Sequence, residues 1–295
     1  MIKLLILVLS SNTYPSKRNE KAIKKTWAKH NFKNVQIVFY KSGSENKLYG
    51  NELIVNVGSQ TKDIGVKTLK AIEWVNENLE FDFVFRTNTS SYINIENLLI
   101  YIEKIANRDG FIYDGKLMKL PANETRKEVN FISGAGILMN KNTIDLLIQE
   151  KSNFNKNEWD DVALGMILQE NGVVATSGKR FDILGNIFKY EIDKDNYHFR
   201  CRIDNHYGYP RYLEKYVILH THKIIEGKFV SQFKTVLNQY FFELNKLFYF
   251  QSPFWKIYEL FVRTARLIVP KVIYNRLKIV LKSLDLAIKF RYLKK

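Results

Sequence analysis

The stretch Phe81 to Asn94, FDFVFRTNTSSYIN, decides how the chain is read. Its opening holds Phe83, Val84 and Phe85 in a short apolar run, as expected of a strand buried on both faces. The run breaks into small polar residues, and ligands in open α/β sheets collect outside the carboxyl ends of strands. A site is therefore expected between Arg86 and Ser91.

Upstream, Lys3 to Ser10 and Val35 to Tyr40 read as strands, the second by its alternating β-branched pattern. Between them the spacing predicts a helix over Arg18 to Lys29, with Ile23 and Trp27 facing inward. A second helix spans Ser59 to Leu79, where Leu69, Ile72, Val75 and Leu79 recur at helical spacing. This order opens a parallel α/β sheet. Downstream, a helix is expected over Ile95 to Ala106 and two short strands around Phe111 to Leu120. A glycine-flanked turn is expected inside FISGAGILMN, Phe131 to Asn140.

The segment NEWDDVALGMILQENG, Asn157 to Gly172, predicts a helix with Asp160 and Asp161 at its start. Carboxylates there complement the dipole and cap free N–H groups. VILHTH, Val217 to His222, reads as a strand on which His220 and His222 point the same way.

With 295 residues and 46% hydrophobic content, the chain can bury the core of one large domain and carry an appendage, which excludes a disordered protein. The single cysteine, Cys201, leaves no intramolecular disulfide and fits a reducing, cytoplasmic setting. The apolar run Leu4 to Leu9 is shorter than a signal-peptide core, and no 18 apolar residues run together, so neither a leader nor a spanning helix is expected.

The net charge of +16 is uneven. From Gly227 to Lys295 there are 14 Lys and Arg against Glu243, Glu259 and Asp285, a balance of +11. Two parts are expected: a domain over residues 1–226 and a basic, aromatic-rich helical tail over residues 227–295. Beyond Pro270, Ile273, Leu277, Val280, Leu281, Leu284 and Ile288 share one helical stripe, opposite Lys271, Lys278, Lys282 and Lys289. An anionic membrane interface suits such a helix. Packing on the main domain comes next, and nucleic acid last, since no nucleic-acid motif accompanies the charge.

Five blocks in order resemble glycosyltransferase family 31, the β-1,3-galactosyltransferase and fringe-like enzymes. Ile23 to Trp27 is similar to I-R-x-T-W. Val66 to Leu69, with Trp74 and Val75, is similar to T-x-K-T-L and its following W-V. Phe81 to Asn94 occupies the place of the F-D strand, the K-T-D-D-D core and the V-N ending. Ser133 to Gly136 resembles S-G-G-G, and Asp160-Asp161-Val162 with Gly165 resembles E-D-V-x-x-G.

The resemblance implies a GT-A fold: a Rossmann-like, mixed, mainly parallel sheet flanked by helices, here with a C-terminal helical extension. It implies inverting transfer of a sugar from a UDP-sugar to an acceptor hydroxyl; with the single cysteine and the basic tail, the expected enzyme is cytoplasmic and peripherally membrane-associated, and works on a glycan or lipid-linked acceptor. Asp161 takes the place of the general base, and Asp160 that of a cap or orienting residue. Donor contacts fall to Ser10, Lys24, Lys67, Arg86, Thr87, Asn88, Ser90, Gly134 and Gly136.

In that family a divalent ion, manganese or magnesium, bridges the donor phosphates, held by aspartates and often by a C-terminal histidine, a place that His222 or His220 would fill. The chain departs from the pattern, because Asn88, Thr89 and Ser90 supply only neutral oxygens where hard cations favour carboxylates. Two routes follow. Arg86, Lys67, Lys24 and His222 or His220 meet the diphosphate charge, or the chain is a degenerate, non-catalytic module that binds nucleotide or glycan.

Overall fold

The computed structural model describes residues 1–29, 32–122, 127–183, 193–202, 211 and 214–227. The chain divides into two compact units, Met1–Lys234 and Thr235–Lys295. The second, with most of the expected tail helix, lies outside the described residues.

β1 (Leu4–Leu9) leads through α1 (Ser16–Lys24) into β2 (Val35–Gly43). An antiparallel pair, β3 (Lys47–Tyr49) and β4 (Glu52–Asn56), precedes α2 (Ile64–Asn78), β5 (Phe83–Asn88), β6 (Ser91–Ile93) and α3 (Ile95–Ile105). Next come β7 (Tyr113–Leu120), β8 (Val129–Asn140), α4 (Lys141–Gln149) and α5 (Asp160–Glu170). Three short strands, β9 (Thr176–Ser177), β10 (Arg180–Asp182) and β11 (His198–Arg200), are followed by α6 (Glu214–Ile225).

The main sheet runs β3-β4-β2-β1-β5-β8-β7-β9. β1 is parallel to β2 and β5, β2 to β4, and β7 to β9, while β8 runs antiparallel between β5 and β7. The expected α/β architecture is thus present: a mixed, mainly parallel sheet flanked by helices. Its middle strands are apolar on both faces because both are covered: on one, Leu5, Leu7 and Val84 pack with Ala71, Ile72 and Val75 of α2 and Leu164, Ile167 and Leu168 of α5, and on the other Leu4, Ile6, Val8 and Phe85 are buried as well. A smaller sheet, β10-β11-β6, stands at the carboxyl end of β5.

Three expectations need correction. Phe131 to Asn140 is not a turn but part of the continuous strand β8; its glycines provide room for neighbouring side chains. Residues 111–120 hold one strand, β7, with an irregularity between Gly115 and Leu117. Gly115, at φ +151, sits where a Cβ would lie 2.4 Å from the Gly136 carbonyl oxygen, so the backbones close up there. VILHTH is helical, within α6. Its buried Val217, Ile218, Thr221 and Ile224 follow helical spacing, and the helix packs on α1 and β6.

Candidate active site

The site is built where β5 ends beside the middle of β8 and α5 begins. Thr87 pairs with Gly136, so Ser133 and Gly134 lie level with the chain just beyond Asn88. The amide of Gly134 donates to Asp161 Oδ2 at 2.7 Å, and the Val162 amide donates to Oδ1 at 3.0 Å. A Cβ on Gly134 would meet Arg86 Nη1 at 2.7 Å and Asp161 Cβ at 3.2 Å, so the missing side chain lets both groups reach the strand. Burial, and then the neighbouring Asp160 charge, raise the pKa of half-buried Asp161 above its ordinary value, against the pull of the two amides and Arg86.

Asp160 does not cap its helix with its side chain; it turns into the protein. Its Oδ2 accepts from Arg86 Nη2 and, at 3.1 Å, from the Thr68 hydroxyl. Arg86 is buried and also donates to the Gly134 carbonyl and, at 3.0 Å from Nε, to the Tyr40 hydroxyl. Tyr40 and Thr68 lie 3.1 Å apart, which closes a ring of hydrogen bonds around the pair. Burial opposes the guanidinium charge, but Asp160 beside it holds the pKa above its ordinary value. Arg86 and Asp160 thus neutralise one another beneath the site.

The other expected donor contacts are dispersed. Lys24 is paired with Glu20 at 2.8 Å and Glu52 at 2.7 Å, and Lys41 joins the same network. The Ser10 hydroxyl donates to Glu20 at 2.5 Å, while Ser16 bridges Ser10 and Thr89 at 3.4 and 3.0 Å. Lys67 is buried near Asp63 and Asp160, and burial lowers its pKa. The Thr87 hydroxyl donates inward to the Ala135 carbonyl at 2.6 Å. At Gly136 a Cβ would lie 2.4 Å from His198 Nδ1, so that glycine seats an imidazole.

The two histidines proposed for a metal do not face one way. Two positions apart on α6, they are separated by about 200° around the helix. His220 is buried, with its pKa pushed down to about 4 by burial and then Lys223. His222 Nδ1 lies 3.2 Å from the Tyr92 hydroxyl, and Nε2 3.1 Å from Glu226. Tyr92 and Ser91 are adjacent on β6 and point to opposite faces, so His222 packs on the face of the small sheet away from Ser91. Among the described residues no group of three or more His, Cys, Asp and Glu could hold a metal ion.

Arg200, Arg180 and His198 were not singled out in the sequence. The register puts Arg180, Asp182, His198, Arg200, Ser91 and Ile93 on one face of the small sheet. Arg200 Nη1 donates to Asn88 Oδ1 at 2.5 Å and to the Ser90 hydroxyl at 2.9 Å. Arg180 donates to the Ser133 hydroxyl at 2.9 Å and pairs with Asp182 at 3.0 Å. His198 is buried between them, 3.0 Å from the Ser91 hydroxyl, and burial followed by the two guanidiniums keeps it neutral. The usable signal was the alternation in His198-Phe199-Arg200-Cys201-Arg202, with a basic group at every second position.

These arginines bear on the divalent ion that the family resemblance implies. Asn88 Oδ1 already accepts from the Ser90 amide at 3.2 Å, from its hydroxyl at 3.1 Å and from Arg200. A carbonyl oxygen has two lone pairs, so none remains for a metal, and the adjacent guanidinium repels one. The residues present do not fit that ion.

No family model matches the chain, and no curated protein matches it. The solved structures to which it is similar include glycosyltransferases. One is the glycosyltransferase GlyE of Streptococcus pneumoniae TIGR4, at 14% identity and TM-score 0.37 over 68% of this chain and 55% of that one. Its apo form gives 14% identity and TM-score 0.35, over 68% and 54%. The chain spans about half the length of these proteins.

Proposed function

We propose that the chain is an inverting glycosyltransferase of GT-A type, moving a sugar from a UDP-sugar to a hydroxyl of a glycan or lipid-linked acceptor. The observation that carries this reading is the half-buried Asp161 carboxylate, fixed beside the end of β5 by the Gly134 amide of β8 and raised in proton affinity. A carboxylate so held can take the acceptor proton. The acceptor oxygen then bonds to the anomeric carbon as the carbon–oxygen bond to the β-phosphate breaks, and that electron pair leaves with the nucleoside diphosphate. A single displacement inverts the centre.

Asp160, tied to Arg86, orients α5 and keeps Asp161 in place. Ser90, just beyond β5, and Gly134, bonded to Asp161, are retained as donor contacts. The +11 balance of residues 227–295 supports a place at an anionic, cytoplasmic membrane face, where a lipid-linked acceptor would be found. Among the described residues no helix is long and apolar enough to cross a membrane.

The test is UDP release from a panel of UDP-sugars in the presence of candidate acceptors, with Asp161→Asn as comparison. Turnover that survives the substitution overturns the base assignment. A second reading, a retained binding module, is favoured by the neutral Asn88 and Ser90; UDP binding without turnover of any donor selects it.

A further inference from the structure

Resting on the donor reading above, the geometry points to Arg200 as the diphosphate anchor of this site, a fixed guanidinium that does the work of a divalent cation. Sugar transfer leaves a diphosphate whose new negative charge needs a positive partner. Of the cations expected to meet it, Arg86 is spent on Asp160 and Lys24 on Glu20 and Glu52, while Lys67 is buried in the field of Asp63 and Asp160, and burial disfavours its charge. His220 and His222 lie on α6, and Tyr92 places His222 across the small sheet.

Arg200 differs from all of these. Its hydrogen bonds go to the neutral oxygens of Asn88 and Ser90, and no carboxylate stands within ion-pair distance of it among the described residues. Those two oxygens belong to the loop where aspartates would hold a metal, so the charge stands in the metal's place. Nη1 is fixed by two acceptors, leaving the rest of the half-buried fork for a ligand. Burial, then the nearby Arg202 and Arg180, pull its pKa down to about 9, against the weaker opposing pull of the Glu214 carboxylate. Arginine pairs with phosphate through two parallel N–H donors, which Arg200 can offer from Nη2 and Nε. Arg180, on the same face but occupied by Asp182 and Ser133, adds field without a free fork.

The ligand class is therefore a nucleoside diphosphate held without metal. Calorimetric titration of the full chain with UDP, uridine and inorganic pyrophosphate, in EDTA and in manganese, tests it. Wild-type UDP affinity is expected to be the same in both buffers, and Arg200→Gln to weaken it roughly 10- to 100-fold with uridine unaffected. Should Arg200→Gln not fold by circular dichroism, Arg200→Lys serves, with a loss of several-fold as the fork becomes a point charge. Equal UDP binding by wild type and folded variant overturns the proposal, as does wild-type binding lost in EDTA and restored by manganese. Pyrophosphate separates the two readings. If UDP fails to bind while pyrophosphate binds and depends on Arg200, the anion site stands and the UDP-donor reading falls. If neither binds, both fall.

Discussion

Arg86, in the central strand β5, closes an ion pair with Asp160, the first residue of α5, so the sheet and the helix that carries Asp161 are locked together by charge. Removing one partner strands a buried charge, which typically costs about 3–5 kcal/mol. Arg86→Met is expected to lower stability by that order in urea unfolding. Adding Asp160→Leu should recover part of the loss, and strictly additive losses would show that the pair is not coupled.

Asp161→Asn keeps the size of the side chain and is expected to reduce turnover roughly 10²- to 10⁴-fold while donor affinity is retained. Because burial and Asp160 raise the Asp161 pKa, the base loses its charge at a higher pH than an ordinary carboxylate, about 3.9. The acid limb of the kcat/KM profile should therefore fall above that value. A limb at the ordinary carboxylate position would contradict the environment described for Asp161.

Glu52 carries the opposite shift. Hydrogen bonds from Lys24 and Lys41 lower its pKa to about 2, so its stabilisation is complete above the unfolded value of 4.5 and is lost as pH falls towards 2. Glu52→Gln should cost roughly 1 kcal/mol at neutral pH, an amount discounted because the carboxylate is partly exposed, and close to nothing near pH 2. Equal losses at both pH values would remove the electrostatic explanation.

Gly136→Ala places a methyl group 2.4 Å from His198 Nδ1 and 2.9 Å from the Phe85 ring. Neither ring is a flexible chain end, and overpacking of this kind costs about 1–3 kcal/mol. A lower thermal midpoint, with weaker UDP binding as β11 shifts, is expected; an unchanged midpoint would mean that β8 and β11 separate freely.

Deletion of residues 270–295 should abolish sedimentation with anionic vesicles if the positive tail holds the protein at a membrane face. Retained sedimentation would place the membrane contact elsewhere, and a chain that no longer folds would favour packing on the main domain.

The main sheet was legible because β1, β2 and β5 are short apolar runs between amphipathic helices, a pattern fixed by burial on both faces. Val217 to His222 misled because β-branched alternation over six residues looks like a strand. The longer window, with Val217, Ile218, Thr221 and Ile224 on one side, carried the helical period that packing against α1 selects. Ser133 to Gly136 was legible as a place of close approach but not as a strand, since glycine marks both turns and tight packing. Asp161 could be placed at a helix start, whereas the partner of Arg86 could not, being 74 residues away. The role of Arg200 depends on a strand of three residues in which it pairs with Ser91, 109 positions away (200 − 91), and no local pattern encodes such a distance.

The small sheet joins segments from residues 91–93, 180–182 and 198–200, whereas seven strands of the main sheet are complete by residue 140. During synthesis, that framework can therefore form well before the basic face reaches it. A nascent or truncated chain ending short of residue 198 would hold a folded sheet with Asp161 in place, yet lack the charge proposed to grip a nucleotide. The order of emergence from the ribosome would itself delay competence until the last strand docks.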